Sequence, residues 1–401
     1  MRIMFMYPPS PYLNHSMFKH YTYLAETVEL VSRVHPDVVV MDCAVEMRSR
    51  NEIYDAFAVC DLLAVLIEPY NIQMALSLAE IYKDIHPGGK TVFFGTAAVL
   101  VPNHLSCYEQ VDSVIANGNF FQGILDAVKQ WKSVEKISRP LIAESERQWG
   151  CSLDAAVPME RYRYFGDNMF EFTVQVGCPF HCSFCSEKLL FPKKGDFLFA
   201  QRPAADVLSI LERVKGDFSS VYFSATTLTY DRDWIGEICE EMVRRNCILP
   251  WRSDTRVDCL DAQLLDIMKQ SGLKQLSLGV ESFSDHLLSS VNKRQTSTTV
   301  YEQIVMCKEC GVDVKALLIL GLPGQSAEDV LHTQQIVEEL GIAYRWKEYS
   351  PVRELHLADR RGEDVSELID SFNRTSFRSD SIPGLSPEKY MSLLFPKGYI
   401  R

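Results

Sequence analysis

Short apolar runs alternate with amphipathic stretches along the first third of the chain. Such runs are typical of strands buried on both faces of a parallel sheet, and the stretches between them have helical spacing. This alternation predicts a doubly wound, Rossmann-like α/β domain over residues 1–135. The predicted strands are Arg2–Tyr7, Asp37–Met41, Asp61–Ile67, Thr91–Phe94 and Asp112–Ala116, and the predicted helices are Tyr21–Val34, Ile72–Ile85 and Phe120–Trp131.

Residues 168–350 repeat a strand followed by a helix six times. Six such units are too few for the eight-stranded barrel, so this pattern predicts a partial (β/α)6 barrel. Residues 136–167 have mixed charge and no sustained period, and we interpret them as a linker. The predicted strands of the barrel are Phe170–Val176, Ser220–Ser224, Pro250–Val257, Gln275–Val280, Val314–Leu320 and Ile342–Tyr349.

Three cysteines follow the first barrel strand, with the spacing C-x3-C-x2-C: Cys178, Cys182 and Cys185. Gly177 and Pro179 disfavour a helix here, so the run is predicted to be a loop that wraps around one centre. Thiolates suit iron–sulfur clusters, zinc or copper(I). Because a cubane cluster has four irons, three cysteines would leave one iron open to another ligand.

Two other interpretations of the cysteine loop remain. His181 would complete a structural zinc site, although a second ligand pair is not obvious in the sequence. A disulfide is disfavoured in a chain without a secretory signal. The remaining cysteines are scattered and are interpreted as buried thiols, including the CxxC of Cys307 and Cys310 late in a predicted helix.

Polar and glycine-rich residues fall where the predicted barrel strands end. Barrels of this kind carry their chemistry at the carboxyl ends of their strands, so we expect these groups to meet at one mouth. After the cysteine loop, the strand-end segments are Ser224–Thr227, Arg252–Arg256, Gly279–Ser282, Gly321–Gln325 and Tyr349–Pro351.

The composition narrows the possible functions. The chain has 401 residues, of which 47% are hydrophobic and 23% charged, as in globular proteins. Its net charge of −12 disfavours a generally basic nucleic-acid surface. No apolar run reaches the length of a signal peptide core or a membrane span, so we expect a cytoplasmic protein.

The cysteine loop, with Phe184 before its last cysteine, resembles the signature of the radical S-adenosylmethionine (SAM) superfamily. The segments DAQLLDIMKQSGLKQLSLGVESFSD and VNKRQT strengthen this resemblance. It implies a [4Fe–4S] cluster on the three cysteines and reductive cleavage of SAM to a 5′-deoxyadenosyl radical. The residues implied to bind SAM are Phe184, Ser224, Ala225, Thr226, Arg256, Glu281, Gly321 and Leu322.

The implied roles of these SAM-binding residues differ. Ser224–Thr226 would meet the amine of SAM, Arg256 would pair with its carboxylate bidentately, and Glu281 would contact its polar groups. Phe184 and Gly321–Gly324 would border the adenine. Alternatively, Glu281 forms a strand-end salt bridge with Arg252 or Arg256, and Gly321–Gly324 is a plain turn.

The N-terminal domain resembles the cobalamin-binding domain of cobalamin-dependent radical SAM enzymes, in its position and in the rhythm DLLAV…MALSLAEIYK…TVFFGT…VDSVIANG. The resemblance implies cobalamin at the carboxyl ends of its strands. The alternative is a degenerate sheet domain kept for packing or for shaping the substrate site. The residues implied to bind cobalamin are Pro9, Tyr12, Glu68, Tyr70, Gly95, Thr96, Asn117 and Gly118.

Together the resemblances imply a cobalamin-dependent radical SAM enzyme that methylates an unreactive carbon in natural-product or cofactor biosynthesis. Its partners would be a small-molecule or peptide substrate and an electron donor such as flavodoxin or ferredoxin, with no nucleic acid. Residues 351–401 would help to shape the substrate site. The alternatives are a radical SAM enzyme with non-methylating chemistry and a cluster- or zinc-bearing regulatory protein.

Overall fold

The structure is a computed structural model that divides into two compact units. The first comprises Met1–Phe172, Ser186–Leu198 and Val352–Asn373, and the second Thr173–Cys185, Phe199–Pro351 and Arg374–Arg401. The residues it describes are 1–9, 22–43, 46, 48–131, 140–142, 147–154, 168–193, 196–197, 199–373 and 382–395.

The strands in chain order are β1 (Ile3–Tyr7), β2 (Val38–Asp42), β3 (Leu62–Leu66), β4 (Lys90–Phe94), β5 (Ser113–Val114), β6 (Met169–Thr173), β7 (Gln175–Val176), β8 (Pro192–Lys193), β9 (Asp196–Phe197), β10 (Ala200–Gln201), β11 (Ser220–Ser224), β12 (Trp251–Arg256), β13 (Leu273–Glu281), β14 (Asp313–Leu320) and β15 (Ala343–Glu348). The α-helices are α1 (Thr22–Ser32), α2 (Arg50–Ala58), α3 (Ile72–Ile85), α4 (Thr96–Leu100), α5 (Pro102–Ser106), α6 (Phe120–Gln130), α7 (Glu187–Leu190), α8 (Ala204–Val214), α9 (Arg232–Arg244), α10 (Ala262–Gln270), α11 (Asp285–Ser290), α12 (Ser297–Glu309), α13 (Ala327–Glu339), α14 (Val352–Arg361), α15 (Ser366–Asn373) and α16 (Pro387–Leu394).

The first unit contains a five-stranded sheet in the order β2-β1-β3-β4-β5, and its pairs are parallel. The predicted doubly wound sheet and its five strands are therefore confirmed. The strand order reverses at β1, and ligands of such sheets bind at the carboxyl ends of the strands beside such a reversal. The sequence analysis missed α2, although Ser49 and Glu52 form a capping box at its start.

Helices α14 and α15 complete the core of the first unit, although they follow the last strand of the second. Leu355 and Ile369 belong to the same buried cluster as Met4 of β1. The Asp359 carboxylate accepts hydrogen bonds from the backbone N–H groups of Asn103 (3.0 Å) and His104 (2.7 Å). The segment predicted as 351–401 is thus divided between the two units. Neither helix was predicted, because charged residues interrupt the apolar pattern of this stretch.

The predicted six strands of the barrel are present, and they form one sheet in the order β15-β14-β13-β12-β11-β6. Strands β11 to β15 lie entirely in the second unit. Neighbouring parallel strands that follow one another in the chain are joined by crossovers, which are usually helical. The predicted repeat of a strand followed by a helix provides these crossovers. Four of these helices begin at a side-chain N-cap, which ends the preceding loop sharply: Asp231, Asp261, Thr296 and Ser326.

Within the described ranges, no helix combines the length and the apolar character needed to cross a membrane.

Candidate active site

The cysteine loop lies where predicted, directly after β7. Gly177 opens it with φ +75°, a backbone region that favours glycine. The Thr226 hydroxyl donates to the Gly177 carbonyl at 2.5 Å, and the Gln175 side chain bonds both backbone groups of Thr227 at 3.0 Å. The end of β11 therefore fixes the start of the loop. Because its hydroxyl donates to Gly177, Thr226 helps to hold the cysteine loop, a structural role that the sequence analysis did not predict.

The three cysteines are half-buried thiols without a disulfide, so all three are available as ligands. The Thr227 hydroxyl lies 3.4 Å from Cys178 Sγ, and Arg256 Nη1 donates to Cys182 Sγ at 3.5 Å. These donors would satisfy the extra lone pairs of thiolates, so the loop fits a negatively charged cluster. By contrast, burial raises the pKa of nearby Cys259 to about 11, which keeps that side chain a neutral thiol.

Among the described residues, no three histidine, cysteine or carboxylate side chains converge closely enough to hold one metal ion. A four-iron cluster binds each thiolate through a different iron, so its ligands need not meet at one point.

Glu281 occupies an unusual backbone position at the end of β13. Its φ is +65°, and the pairing of β13 with β14 shifts register between Gly279 and Glu281. Such bulges redirect side chains and are frequent beside active sites. The carboxylate pairs with Lys293 Nζ at 2.8 Å, and both side chains are more than nine-tenths buried. The expected salt-bridge alternative is thus realised with Lys293, and not with Arg252 or Arg256.

Gly279 gives this ion pair its room. A Cβ atom at Gly279 would stand 2.9 Å from both Glu281 Oε1 and Lys293 Nζ. Lys293 also lies 5.9 Å from the centre of the Phe184 ring, which places the pair beside the cysteine loop. Sequence reasoning missed Lys293, although it lies within the quoted segment VNKRQT.

That segment is also tied to the cysteine loop by two hydrogen bonds. The Ser183 N–H donates to the Val291 carbonyl at 3.0 Å, and Asn292 Nδ2 donates to the His181 carbonyl at 2.9 Å. The cysteine loop, the end of β11 and the segment after α11 therefore form one connected structure within the second unit.

Arg256 is buried and mostly engaged by protein groups. Its Nε and Nη2 atoms each donate to the Asp258 carboxylate at 2.9 Å, and Nη2 also donates to the Lys293 carbonyl. Burial lowers the pKa of Arg256, but the hydrogen bond and charge of Asp258 outweigh this and the pKa is raised overall. The predicted bidentate contact with a SAM carboxylate would have to displace Asp258 from Nε and Nη2, or the Lys293 carbonyl and Cys182 from Nη2 and Nη1.

The predicted adenine border forms a small apolar cluster. Phe184 packs against the cluster of Leu287, Val291, Ile319 and Leu322. Gly321 has φ +88°, and its N–H donates to the buried Gln325 Oε1 at 2.6 Å. The turn alternative for Gly321–Gly324 and a border role for Leu322 are therefore compatible. Ser224 and Ala225 remain half-buried at the end of β11.

The carboxyl edge of the first sheet carries hydroxyl and carboxylate oxygens. The hydroxyls of Tyr7 and Tyr70 lie 2.7 Å apart, and Asp42 and Glu68 are buried. Burial, with a smaller contribution from Tyr70, raises the pKa of Tyr7, so the phenol stays protonated. Such donors and acceptors fit a ligand rich in amide groups, as the corrin of cobalamin is. Pro9 and Thr96 are half-buried, Asn117 is buried, and Tyr12 lies outside the described residues.

The two glycines predicted to contact cobalamin are packed against protein. Gly95 has φ +110°, and a Cβ there would stand 2.5 Å from the Ile67 carbonyl. At Gly118 a Cβ would stand 2.3 Å from the Phe191 ring. The Gly118 N–H donates to the Leu190 carbonyl, and its own carbonyl accepts from Arg147. Neither glycine therefore opens a cradle for a ligand.

The letters D-x-H-x-x-G, which in other cobalamin proteins supply a lower axial histidine, occur at Asp84–Gly89. His86 ends α3 and precedes β4. It therefore lies at the amino ends of the strands, opposite the edge where the strand-end residues are, and does not fit that role.

Comparison with known proteins defines the class of the second unit. Residues 172–337 match the model of the radical SAM superfamily. The chain therefore contains a radical SAM domain, which implies a [4Fe–4S] cluster and SAM, and the predicted superfamily is confirmed.

A narrower likeness covers both units. The solved structure of the radical SAM methyltransferase TsrM from Kitasatospora setae, with cobalamin and a [4Fe–4S] cluster bound, matches with a TM-score of 0.68 and 15% identity over 86% of this chain and 75% of that one. At this identity the likeness shows the fold alone, and it confirms the predicted architecture of a Rossmann-like domain followed by a radical SAM domain.

Two curated relatives align over most of the chain. An uncharacterized methyltransferase of Pyrococcus horikoshii is 24% identical over 80% of this chain and 68% of its own length. The anaerobic magnesium-protoporphyrin IX monomethyl ester cyclase of Rubrivivax gelatinosus is 25% identical over 86% of this chain and 66% of its own. The chain thus spans about two thirds of the length of these relatives.

Proposed function

We propose that the protein is a cobalamin-dependent radical SAM enzyme that methylates an unreactive carbon in a biosynthetic pathway. The observation that carries the proposal is the combination, in one chain, of a cysteine loop at the end of the first barrel strand and a preceding five-stranded parallel domain. When bound, the cluster and SAM would supply a radical that removes hydrogen from the substrate, and cobalamin would supply the methyl group.

In this proposal the residues of the second unit hold and orient the cofactors. Cys178, Cys182 and Cys185 would bind three irons of the cluster. Phe184 and Leu322 would border the adenine. The Glu281–Lys293 pair would present polar groups to SAM beside Phe184.

In the first unit, Tyr70, Thr96 and Glu68 would contact cobalamin at the carboxyl edge of the sheet. Tyr7 would hold Tyr70 in place through the 2.7 Å contact of their hydroxyls. The partners would be a small-molecule or peptide substrate and a one-electron donor of the flavodoxin or ferredoxin class, in the cytoplasm.

One experiment tests both cofactors together. The protein is purified without oxygen, reconstituted with iron and sulfide, and incubated with cobalamin before unbound cobalamin is removed. We expect retained cobalamin in the optical spectrum, 5′-deoxyadenosine after reduction with SAM, and S-adenosylhomocysteine only in the cobalamin-loaded sample. Failure to form a cluster or to cleave SAM would contradict the radical SAM proposal.

A second candidate is a radical SAM enzyme with non-methylating chemistry. It is favoured by the Rubrivivax gelatinosus relative, which is named a cyclase and aligns with 86% of this chain. In the same experiment, 5′-deoxyadenosine without S-adenosylhomocysteine in the cobalamin-loaded sample would support this candidate over methylation.

A further inference from the structure

We propose that Arg256 is a positioning residue that acts on the iron–sulfur cluster, by donating to the ligand sulfur of Cys182 and so favouring the reduced state. The resemblance to radical SAM enzymes implied a different role, a bidentate contact with the SAM carboxylate. The inference rests on the proposed function, because it requires the cluster to be present.

The geometry places a fixed cation against one ligand. Nη1 of Arg256 lies 3.5 Å from Cys182 Sγ, within hydrogen-bond reach of sulfur. The guanidinium carbon lies 3.7 Å from the centre of the Phe180 ring, and Phe180 belongs to the same cysteine loop. Arg256 as a whole is only 4% exposed, so water screens its charge little.

The other side of the guanidinium is held by the protein. Asp258 accepts from Nε and Nη2 in the fork geometry that arginine favours. Gln295 Nε2 in turn donates to Asp258 Oδ1 at 2.6 Å. Because Asp258 holds Nε and Nη2, the remaining nitrogen, Nη1, is the one directed at the cysteine loop. A lysine could make the contact to sulfur but could not keep this planar arrangement.

The charge arithmetic gives the direction of the effect. Reduction adds one electron to the cluster, taken from a flavodoxin- or ferredoxin-class donor, and its charge becomes more negative by one. Arg256 stays a guanidinium throughout and no proton is transferred. A buried cation that donates to a ligand sulfur stabilises the more negative state, and hydrogen bonds to the sulfurs are among the factors that set cluster potentials.

The test compares Arg256→Met and Arg256→Lys with Arg252→Met, an exposed arginine on the same strand β12. Reconstituted protein without SAM is titrated with dithionite and mediators, and the reduced cluster is measured by electron paramagnetic resonance. For Arg256→Met we expect about a tenfold lower ratio of reduced to oxidised cluster at a given potential, which is about 59 mV for one electron. Arg256→Lys should shift the potential less, in the same direction, and Arg252→Met should not shift it.

Equilibrium binding of SAM separates the two roles. If Arg256 acts on the cluster, both Arg256 variants should bind SAM about as tightly as the unmodified protein. Unchanged potentials with a large loss of SAM affinity would overturn the proposal and restore the carboxylate role. If Arg256→Met does not fold, Arg256→Lys decides, and an unchanged potential in that variant also overturns it. Absence of a cluster from the unmodified protein would instead contradict the proposed function.

Discussion

The carboxyl edges of the two parallel sheets use their polar residues differently. In the second unit, charged side chains form two ion pairs, Arg256–Asp258 and Glu281–Lys293, and Arg256 also donates to Cys182 of the cysteine loop. In the first unit, the edge offers phenols and buried carboxylates, and its two glycines are packed against protein.

This difference shows how chemical specificity is distributed in the molecule. Three thiols at this spacing suit a soft metal centre, and the surrounding side chains bond to the loop that carries them. Hydroxyl and carboxylate oxygens fit many ligands, so the first edge defines its ligand less narrowly. The predictions below test this contrast, from the largest expected effect to the smallest.

Removing one cysteine of the loop should have the largest effect. We expect Cys178→Ala to lower the iron content after reconstitution from about four irons per chain to near zero, because two thiolates do not hold a cubane cluster. Iron and sulfide analysis and the visible spectrum measure this. The control is Cys310→Ser, which removes a half-buried thiol at the end of α12. Equal losses in both variants would show that the loop is not the cluster site.

Breaking the buried Glu281–Lys293 ion pair of the second unit should destabilise the protein. Lys293→Met leaves the Glu281 carboxylate buried without its partner, and we expect the free energy of unfolding to fall by about 3 kcal/mol. Urea denaturation measures the change. The double variant Glu281→Gln with Lys293→Met should recover much of the loss, because no buried charge remains.

The matched control is Arg232→Met, which breaks the exposed ion pair with Asp261 and should cost less than about 1 kcal/mol. If Lys293→Met were no more destabilising than this control, the interpretation of the Glu281–Lys293 pair as a buried structural unit would be wrong.

A substitution at Gly95 tests whether protein packing requires the glycine at the carboxyl edge of the first unit's sheet. We expect Gly95→Ala to destabilise the protein by about 2 kcal/mol, since φ is +110° and the new Cβ would meet the Ile67 carbonyl. Gly88→Ala is the control, because the nearest atom to its Cβ would be 4.0 Å away. A thermal shift for Gly95→Ala no larger than that for Gly88→Ala would argue for an open glycine cradle instead.

The smallest expected effect concerns two histidines of the first unit, His104 in α5 and His356 in α14. Burial lowers the pKa of both His104 and His356 from 6.5. The folded state therefore binds fewer protons than the unfolded state, and stability should fall as the pH drops below about 6.5.

This dependence is measured as the urea midpoint between pH 7.5 and 5.5. The charges of Asp359 and Asp364 raise the pKa of His104 and so oppose the effect of burial. For His356, the charge of Asp359 also raises the pKa, whereas that of Arg360 lowers it further. The double variant His104→Gln with His356→Gln should flatten the dependence over this range. A slope unchanged by the double variant would assign the dependence to other groups.

Much of the fold could be predicted because its signals are local. Apolar runs marked all five strands of the first sheet, and helix Ile72–Ile85 was predicted with its observed limits. Helices α14 and α15 escaped prediction because their apolar residues are sparse among charged ones. Only their packing into the core of Met4 and its neighbours reveals the helical face.

The sequence by itself determined the spacing and position of the three cysteines, the alternation of strands and helices and the class of chemistry, because these depend on residue type and spacing along the chain. The tertiary structure decided the partners of the polar side chains. Glu281 is paired with Lys293, and Arg256 is turned by Asp258 towards Cys182, because a bulge in β13 and the segment after α11 bring these groups together. Such contacts join residues on separate strands and loops, and no local pattern in the sequence encodes them.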